Sequence, residues 1–227
     1  MSALSDRIAA VHERIARAAR AAGRDPSSVK LVAVSKKQPA SAVREAHRLG
    51  LRAFGENYAQ ELVSKAGETA DLEGIEWHMI GHLQTNKARL VAPVVEMMHS
   101  VDSVYVAAEL GKRAAKLGRV VQALVEVNVA KDEAKTGCSP SELQGVIDAI
   151  RANPALELRG LMTMPPYAED PAAARRFFAG LRALQTLHGG PSALPELSMG
   201  MSHDLEVAIG EGATMVRVGT AIFGERH

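Results

Sequence analysis

Apolar residues recur near the N-terminus at Leu4, Ile8, Val11 and Ile15, spaced by four, three and four, with Arg and Glu between them. That is the stripe of an amphipathic helix. Ser5 is its expected N-cap, and Gly23 followed by Asp25-Pro26 closes it. From residue 30 the pattern changes. Short apolar runs stand at 30–36, 52–57, 76–81, 97–103, 121–128, 157–164, 196–202 and 215–220. Between them lie stretches with helical spacing, such as ASAVREAHRLG, VYVAAELGKRAAKLG and SPSELQGVIDAIRAN. Strands alternating with helices predict parallel βαβ units.

Eight such units in 227 residues match a compact (β/α)8 barrel. A doubly wound open sheet would use fewer strands, and a dinucleotide-binding version would carry G-x-G-x-x-G after the first strand. Here KKQPAS follows that strand, while the near-match GEGATM at 210–215 has Met215 in the third glycine's place and precedes a strand. The expected fold is therefore α/β: a single (β/α)8 TIM-type barrel domain over residues 1–227 with an extra N-terminal helix.

A barrel gathers chemistry at the C-terminal ends of its strands. Read in order, those ends are Lys36, Glu56-Asn57, His78 to His82, Asp102-Ser103, Asn128, Met162 to Met164, Ser202 and Gly219-Thr220. They are far more polar than the strand bodies. Lys36 shares strand parity with Val32 and Val34, whereas Lys37 points the other way or lies in the loop. Either these are solvated lysines at a strand end, or Lys36 is an amine among apolar walls. In the second case its charged form is disfavoured and the neutral amine can form a Schiff base with a carbonyl.

On the last run, Met215, Arg217 and Gly219 share one face, and Gly219-Thr220 then offers backbone N–H groups and a hydroxyl. Ser202 falls at an expected helix N-cap, where an anion is favoured. Each has an ordinary reading: interior arginine, turn glycine, helix cap. Together, at the last two strand ends and beside the first strand of a closed barrel, they point to a phosphate site.

Composition narrows the classes. Lys plus Arg number 27 and Asp plus Glu 26, a net charge of +1, which leaves no footprint for nucleic acid or an anionic membrane. Aromatics at 4% supply no base-stacking platform. Cys138 is the only cysteine, which excludes an internal disulfide and suits a reducing cytoplasm. No signal-peptide core or membrane-length apolar run is present, so a cytoplasmic location is expected. His78 and His82 are four apart, but Gly81 intervenes, no Glu follows His78 and no third ligand is evident, so no metal site is expected. Gln84, Asn86 and Lys87 either open the following helix or contact a ligand. Cys138, in GCSP with only Lys135 as a basic neighbour, reads as inert.

The strand ending VSK at Lys36, FGENYAQEL, WHMIGHLQTNK, Val-Asp-Ser at 101–103, LMTM at 161–164, SMGMSHDLEVAI and VRVGTAIFG span nearly the whole chain. Together they resemble the pyridoxal phosphate homeostasis proteins (the YggS/PROSC family). The resemblance implies a barrel similar to the N-terminal domain of alanine racemases, the type III fold of pyridoxal-phosphate proteins. It also implies pyridoxal 5′-phosphate bound covalently to Lys36 as an internal aldimine. Ser202, Gly219 and Thr220 match the family's phosphate ligands, and Arg217 matches an arginine near the pyridine nitrogen. Asn57 lies in the motif lining the cofactor ring, and Met201 matches a backbone contact. An arginine at the ring nitrogen disfavours protonation there and weakens the ring as an electron sink.

The chain ends at His227, leaving no room for the racemases' second domain with its opposite-face base and dimer interface. The leading expectation is a monomeric carrier that stores, buffers or delivers the cofactor, with pyridoxal-phosphate-dependent apoenzymes as possible recipients. A compact racemase or lyase using Lys36 is the alternative, and a barrel for another phosphorylated metabolite is the third.

Overall fold

A computed structural model describes residues 2–224. Helix α1 (Ala3–Ala21) opens the chain and buries Leu4, Ile8, Val11 and Ile15, the stripe that its periodicity marks out. Its cap differs from expectation. Ser2 is the N-cap and its hydroxyl accepts from the Ser5 amide, so the helix starts earlier than Ser5. The chain then alternates: β1 (Lys30–Val34), α2 (Ala40–Arg48), β2 (Ala53–Glu56), α3 (Ala59–Glu68), β3 (Glu76–Met79), α4 (Ala88–Val91), β4 (Met97–Val101) and α5 (Val104–Lys116). After these come β5 (Val121–Glu126), α6 (Leu143–Arg151), β6 (Leu156–Met162), α7 (Arg175–Leu187), α8 (Gly190–Ala193), β7 (Glu196–Ser198), α9 (Leu205–Gly210), β8 (Met215–Val218) and α10 (Thr220–Phe223).

The eight strands pair in parallel, in chain order, and β1 pairs with β8 to close the barrel. Each strand starts within two residues of its apolar run and ends sooner, so the polar residues at the run ends lie in loops. The expected range to residue 227 runs past the described residues.

Alternation decides what each strand face meets. Leu31, Ala33, Phe54, Trp77, Met79 and Met98 face outward and join the helices' apolar stripes in one continuous core. The inward set changes character along the strands. Met97, Leu124, Met162 and Met215 form a separate apolar cluster in the lumen. Two residues further along their strands stand His99, Glu126 and Arg217, all buried. The lumen thus carries an apolar cluster beneath a polar layer, with buried His78 on β3 level with Met97.

Helix α1 reaches across to the last units of the barrel. Arg14 pairs with Glu206 on α9 at 2.7 Å and donates to Ser202 O at 2.9 Å, and Arg7 donates to Ile222 O at 2.6 Å. These arginines tie α1 to the loop after β7 and to α10. No helix among the described residues is long and apolar enough to cross a membrane.

One close approach sets the rim. A Cβ on Gly81 would fall 2.3 Å from Asn57 O, and Ser100 Oγ anchors the Gly81 carbonyl at 2.6 Å. Only glycine lets the loop after β3 lie against the end of β2. Gly81→Ala is expected to lower stability by about 1–3 kcal/mol through this overlap. Urea unfolding tests it, and an unchanged midpoint would show that the two loops separate freely.

Candidate functional site

At the C-terminal end of the barrel a cleft of about 180 Å³ opens. That is below the ~300–1,000 Å³ of drug-sized pockets, so it suits a small ligand. Lys36, Asn57, Met201, Ser202, Arg217, Gly219 and Thr220 all line it. They come from the ends of β1, β2, β7 and β8, so barrel closure rather than chain proximity assembles them. Val34, Ile80, Met164 and His203 complete the wall. Sequence reasoning did not single these out as site residues, although His203 adjoins Ser202 and Met164 ends the LMTM run. His203 Nε2 contacts the carbonyls of Ala168 and Glu169 at 3.2 and 3.0 Å, so that nitrogen carries its hydrogen.

Lys36 sits in a turn just after β1, half-buried. The turn is held from below by a buried charge cluster that the sequence did not announce. Lys65 of α3, 4% exposed, donates to Ser35 O at 2.6 Å, Glu56 Oε1 at 2.7 Å and Glu61 Oε1 at 2.7 Å. Ser35 Oγ donates to the same Glu56 oxygen at 2.6 Å, and the Lys37 amide donates to Glu61. Burial pushes the Glu56 carboxyl up from its ordinary value, against the pull of Lys65 and Ser35. Lys37 adopts a left-handed φ of 61°, a conformation that costs a branched-free L-residue about 1–2 kcal/mol. The cluster therefore fixes a turn that would not hold itself, and with it the point from which Lys36 leaves.

At the opposite side, Ser202 is not the cap expected of it. Helix α9 starts at Leu205 with Asp204 as N-cap, and Asp204 Oδ1 accepts from the Met201 amide at 2.7 Å. Ser202 lies in the preceding turn, and its Oγ instead accepts from the Ala221 amide of α10 at 3.3 Å. The serine thus joins the ends of β7 and β8 directly. Gly219 precedes α10 and leaves Thr220 exposed at the cleft edge. Arg14 on Ser202 O fixes the same loop from outside.

Arg217 forms part of the cleft floor and is 4% exposed. It donates to Ser198 Oγ at 2.6 Å and to Thr163 O at 3.0 Å. Among the described residues no carboxylate lies within salt-bridge distance of it. Burial alone brings its guanidinium down to about 10, with Glu126 and Asp204 opposing at longer range. A cation buried without a contact anion is costly unless a ligand supplies acceptors.

His78 and His82 separate. His78 is buried in the lumen, whereas His82 is on the surface, 3.0 Å from Asp102. Among the described residues no group of three or more His, Cys, Asp or Glu is placed to hold a metal ion. Gln84 and Lys87 line a neighbouring hollow of about 350 Å³ that shares Asn57 with the cleft. Cys138 is buried, and burial pushes its thiol up to about 12, far from a reactive thiolate.

The family model for the alanine racemase N-terminal domain matches residues 7–227. The chain is 48% identical over 226 residues to the pyridoxal phosphate homeostasis protein of Pseudomonas aeruginosa, covering 100% of this chain and 97% of that protein. It is 40% identical to the protein of the same name from Escherichia coli K12, covering 100% of this chain and 98% of that one. Among solved structures, PipY of Synechococcus elongatus with PLP bound is 38% identical with a TM-score of 0.83, covering 97% of this chain and 100% of that chain. An alanine racemase from Clostridium difficile shares the fold alone, at 14% identity and TM-score 0.71, and this chain spans 55% of it.

Removing the Lys65 amine leaves Glu56, already 0% exposed, without its cation. Lys65→Met is expected to cost about 3–5 kcal/mol, and adding Glu56→Gln should recover part of it. Hydrogen exchange at the 36 and 37 amides should speed up in the single variant. Unchanged stability and exchange would show that the cluster does not hold the turn.

Proposed function

We propose, for a chain that belongs to the alanine racemase N-terminal domain family and within it to the pyridoxal phosphate homeostasis proteins, that its cleft binds pyridoxal 5′-phosphate to store, buffer and deliver it. The observation that carries this reading is the donor set. One amine, two hydroxyls and an uncompensated buried guanidinium converge on a small cleft with apolar walls. That set suits a flat ligand with an aldehyde, a ring acceptor and an anionic tail.

The cofactor supplies an aldehyde that condenses with amines and a ring that delocalises charge. The chain's own residues divide the remaining work. Lys36 provides the amine that would hold the cofactor covalently, from a turn that Lys65 fixes. Ser202 and Thr220, with the Gly219 backbone, would hold the phosphate where the ends of β7 and β8 meet. Arg217 would donate to the ring nitrogen, Asn57 would flank the ring, and the Met201 backbone would add a contact. Arg217 can give a hydrogen bond there but does not yield a proton readily. A site of this kind retains the cofactor without strongly activating it, which favours a carrier over a racemase or lyase. Recipient apoenzymes, a single cofactor-binding domain, a monomeric state and a cytoplasmic location complete the proposal.

Protein reconstituted with pyridoxal phosphate and reduced with borohydride should yield one modified peptide, at Lys36. Lys36→Ala should abolish that adduct while leaving circular dichroism unchanged; a persistent adduct would move the covalent role to Lys37 or another lysine. Thr220→Val removes a hydroxyl donor at nearly constant shape. It should weaken retention of the phosphorylated cofactor roughly tenfold and leave dephosphorylated pyridoxal unaffected. Equal losses for both would remove Thr220 from the phosphate site. Racemisation of alanine or serine at ordinary enzyme rates would replace the carrier reading by the catalytic one.

A further inference from the structure

The cleft lining does not account for a run of buried polar side chains that crosses the lumen. Arg217 Nη1 donates to Ser198 Oγ at 2.6 Å. That oxygen meets His99 Nδ1 at 2.9 Å, and His99 Nε2 meets His78 Nδ1 at 2.8 Å. His78 Nε2 then faces Glu76 Oε2 at 3.5 Å without making a hydrogen bond, so this last link is electrostatic, and Lys30 Nζ holds the same oxygen at 2.8 Å. The path runs from β8 through β7 and β4 to β3 and ends near the N-terminal mouth. The strands β4 and β7 are not neighbours in the sheet, so the Ser198–His99 contact passes through the barrel interior. Arg217, Ser198, His99 and His78 are 0–4% exposed. The Glu76 side chain is 38% exposed.

The hydrogens in this run can be ordered in two ways. Burial pushes both imidazoles below their ordinary value, His99 furthest, so near pH 7 the neutral form with one N–H on each ring is favoured. In one order the Ser198 hydroxyl donates to His99 Nδ1, His99 Nε2–H donates to His78 Nδ1, and His78 Nε2–H faces the Glu76 carboxylate. In the reverse order the lone pair of His78 Nε2 would face that carboxylate. His99 Nδ1–H would also point at an oxygen that already accepts from Arg217. Among the described residues His78 Nε2 makes no hydrogen bond, and the Glu76 carboxylate at 3.5 Å is the charge it faces. Only the first order places donors away from the cation and toward the anion. The remaining charged groups facing the run are Lys30 on β1, Glu96 before β4, Glu126 on β5 and Asp204 before α9. None of them contacts the two imidazoles or Ser198 by hydrogen bond.

We propose that Ser198, His99, His78 and Glu76 are positioning residues for Arg217, forming a one-way chain through the lumen that orients the guanidinium toward the cleft and couples it to a carboxylate at the opposite mouth of the barrel. The effect on the cofactor rests on the reading of the cleft given above; the direction of the chain does not. Loss of the Glu76 charge, or a break at Ser198, leaves Arg217 less compensated and disfavours a protonated ligand beside it.

Two measurements separate these parts. In the cofactor-free protein, ring-nitrogen NMR between pH 7 and 8 should show His78 and His99 neutral and both in the Nε2–H form. An Nδ1–H form, or protonation of either ring in that range, would overturn the chain. In protein loaded with pyridoxal phosphate, Glu76→Gln and Ser198→Ala should each move the pH midpoint of the visible band down by roughly half a unit. The double variant should shift no further than the larger single, and Glu76→Asp should restore the wild-type midpoint. Glu76 lies at the half-exposed end, so its variants keep the test open if Ser198→Ala folds poorly. Midpoints that superpose on wild type, or shifts that add, would overturn the coupling. A wild-type protein that takes up no pyridoxal phosphate would instead overturn the reading of the cleft, and the NMR result would still decide the direction of the chain.

Discussion

Closure of the sheet by the pairing of β1 with β8 is the constraint from which the site follows. Lys30 lies beside Met215 and Ala33 beside Val218, so the residues that follow each strand emerge side by side. Lys36 and Thr220 are 184 positions apart in the chain, yet this register places both on one cleft. The fit is tight at that seam, since a Cβ on Gly219 would lie 3.2 Å from Val34 O. An open sheet with the same eight strands would leave the first and last at opposite edges. Lys36 and the loops that carry Ser202 and Thr220 would then never meet.

Around that seam the molecule manages two buried cations in different ways. Lys65 is surrounded by oxygen atoms from Ser35, Glu56 and Glu61, and it braces a turn. Among the described residues Arg217 has only a hydroxyl and a carbonyl within hydrogen-bond distance, and Ser198 leads on to the buried His99 and His78. The first arrangement is closed and structural. The second leaves electrostatic capacity facing the cleft, which is what a ligand site requires. Both lie just beneath the rim, above the apolar cluster of Met97, Leu124, Met162 and Met215, beside which His78 carries the polar run downward.

The eight strands and the buried face of α1 were legible because each is a local repeat, and apolar runs separated by helical spacing need no tertiary knowledge. The positions of Lys36, Ser202 and Gly219 were legible because a barrel fixes where strand ends go. What a particular hydroxyl or charge contacts was not. Ser202 has the sequence signature of a cap for the next helix in the chain, yet its partner is the Ala221 amide across the seam. Arg14 and Lys65 carry the pattern of solvated helix positions, yet they reach Ser202 O and Ser35 O from helices 188 and 30 residues away in sequence. Ser5 lost the cap to Ser2 because a terminus offers two serines at helix-starting spacing, and local pattern does not choose between them. The His78–His99 contact joins adjacent strands, but its parity is shared with ordinary core residues.

On the proposed reading an arginine, rather than a carboxylate, stands beside the ring nitrogen, and that has a consequence for the whole barrel. A carboxylate there would hold a proton on the ring and pull electrons from the bound carbon skeleton, the requirement of a vigorous catalyst. A guanidinium donates without surrendering its proton, so it binds the ring in its neutral form. That choice leaves a positive charge in the lumen with no adjacent anion, and the fold must stabilise it at a distance. In the proposed order, two imidazoles in series do so without adding charge of their own, since burial disfavours their charged form and their dipoles would align toward Glu76. On that reading the polar lumen is the structural counterpart of a site that would hold its ligand firmly and leave its reactivity low.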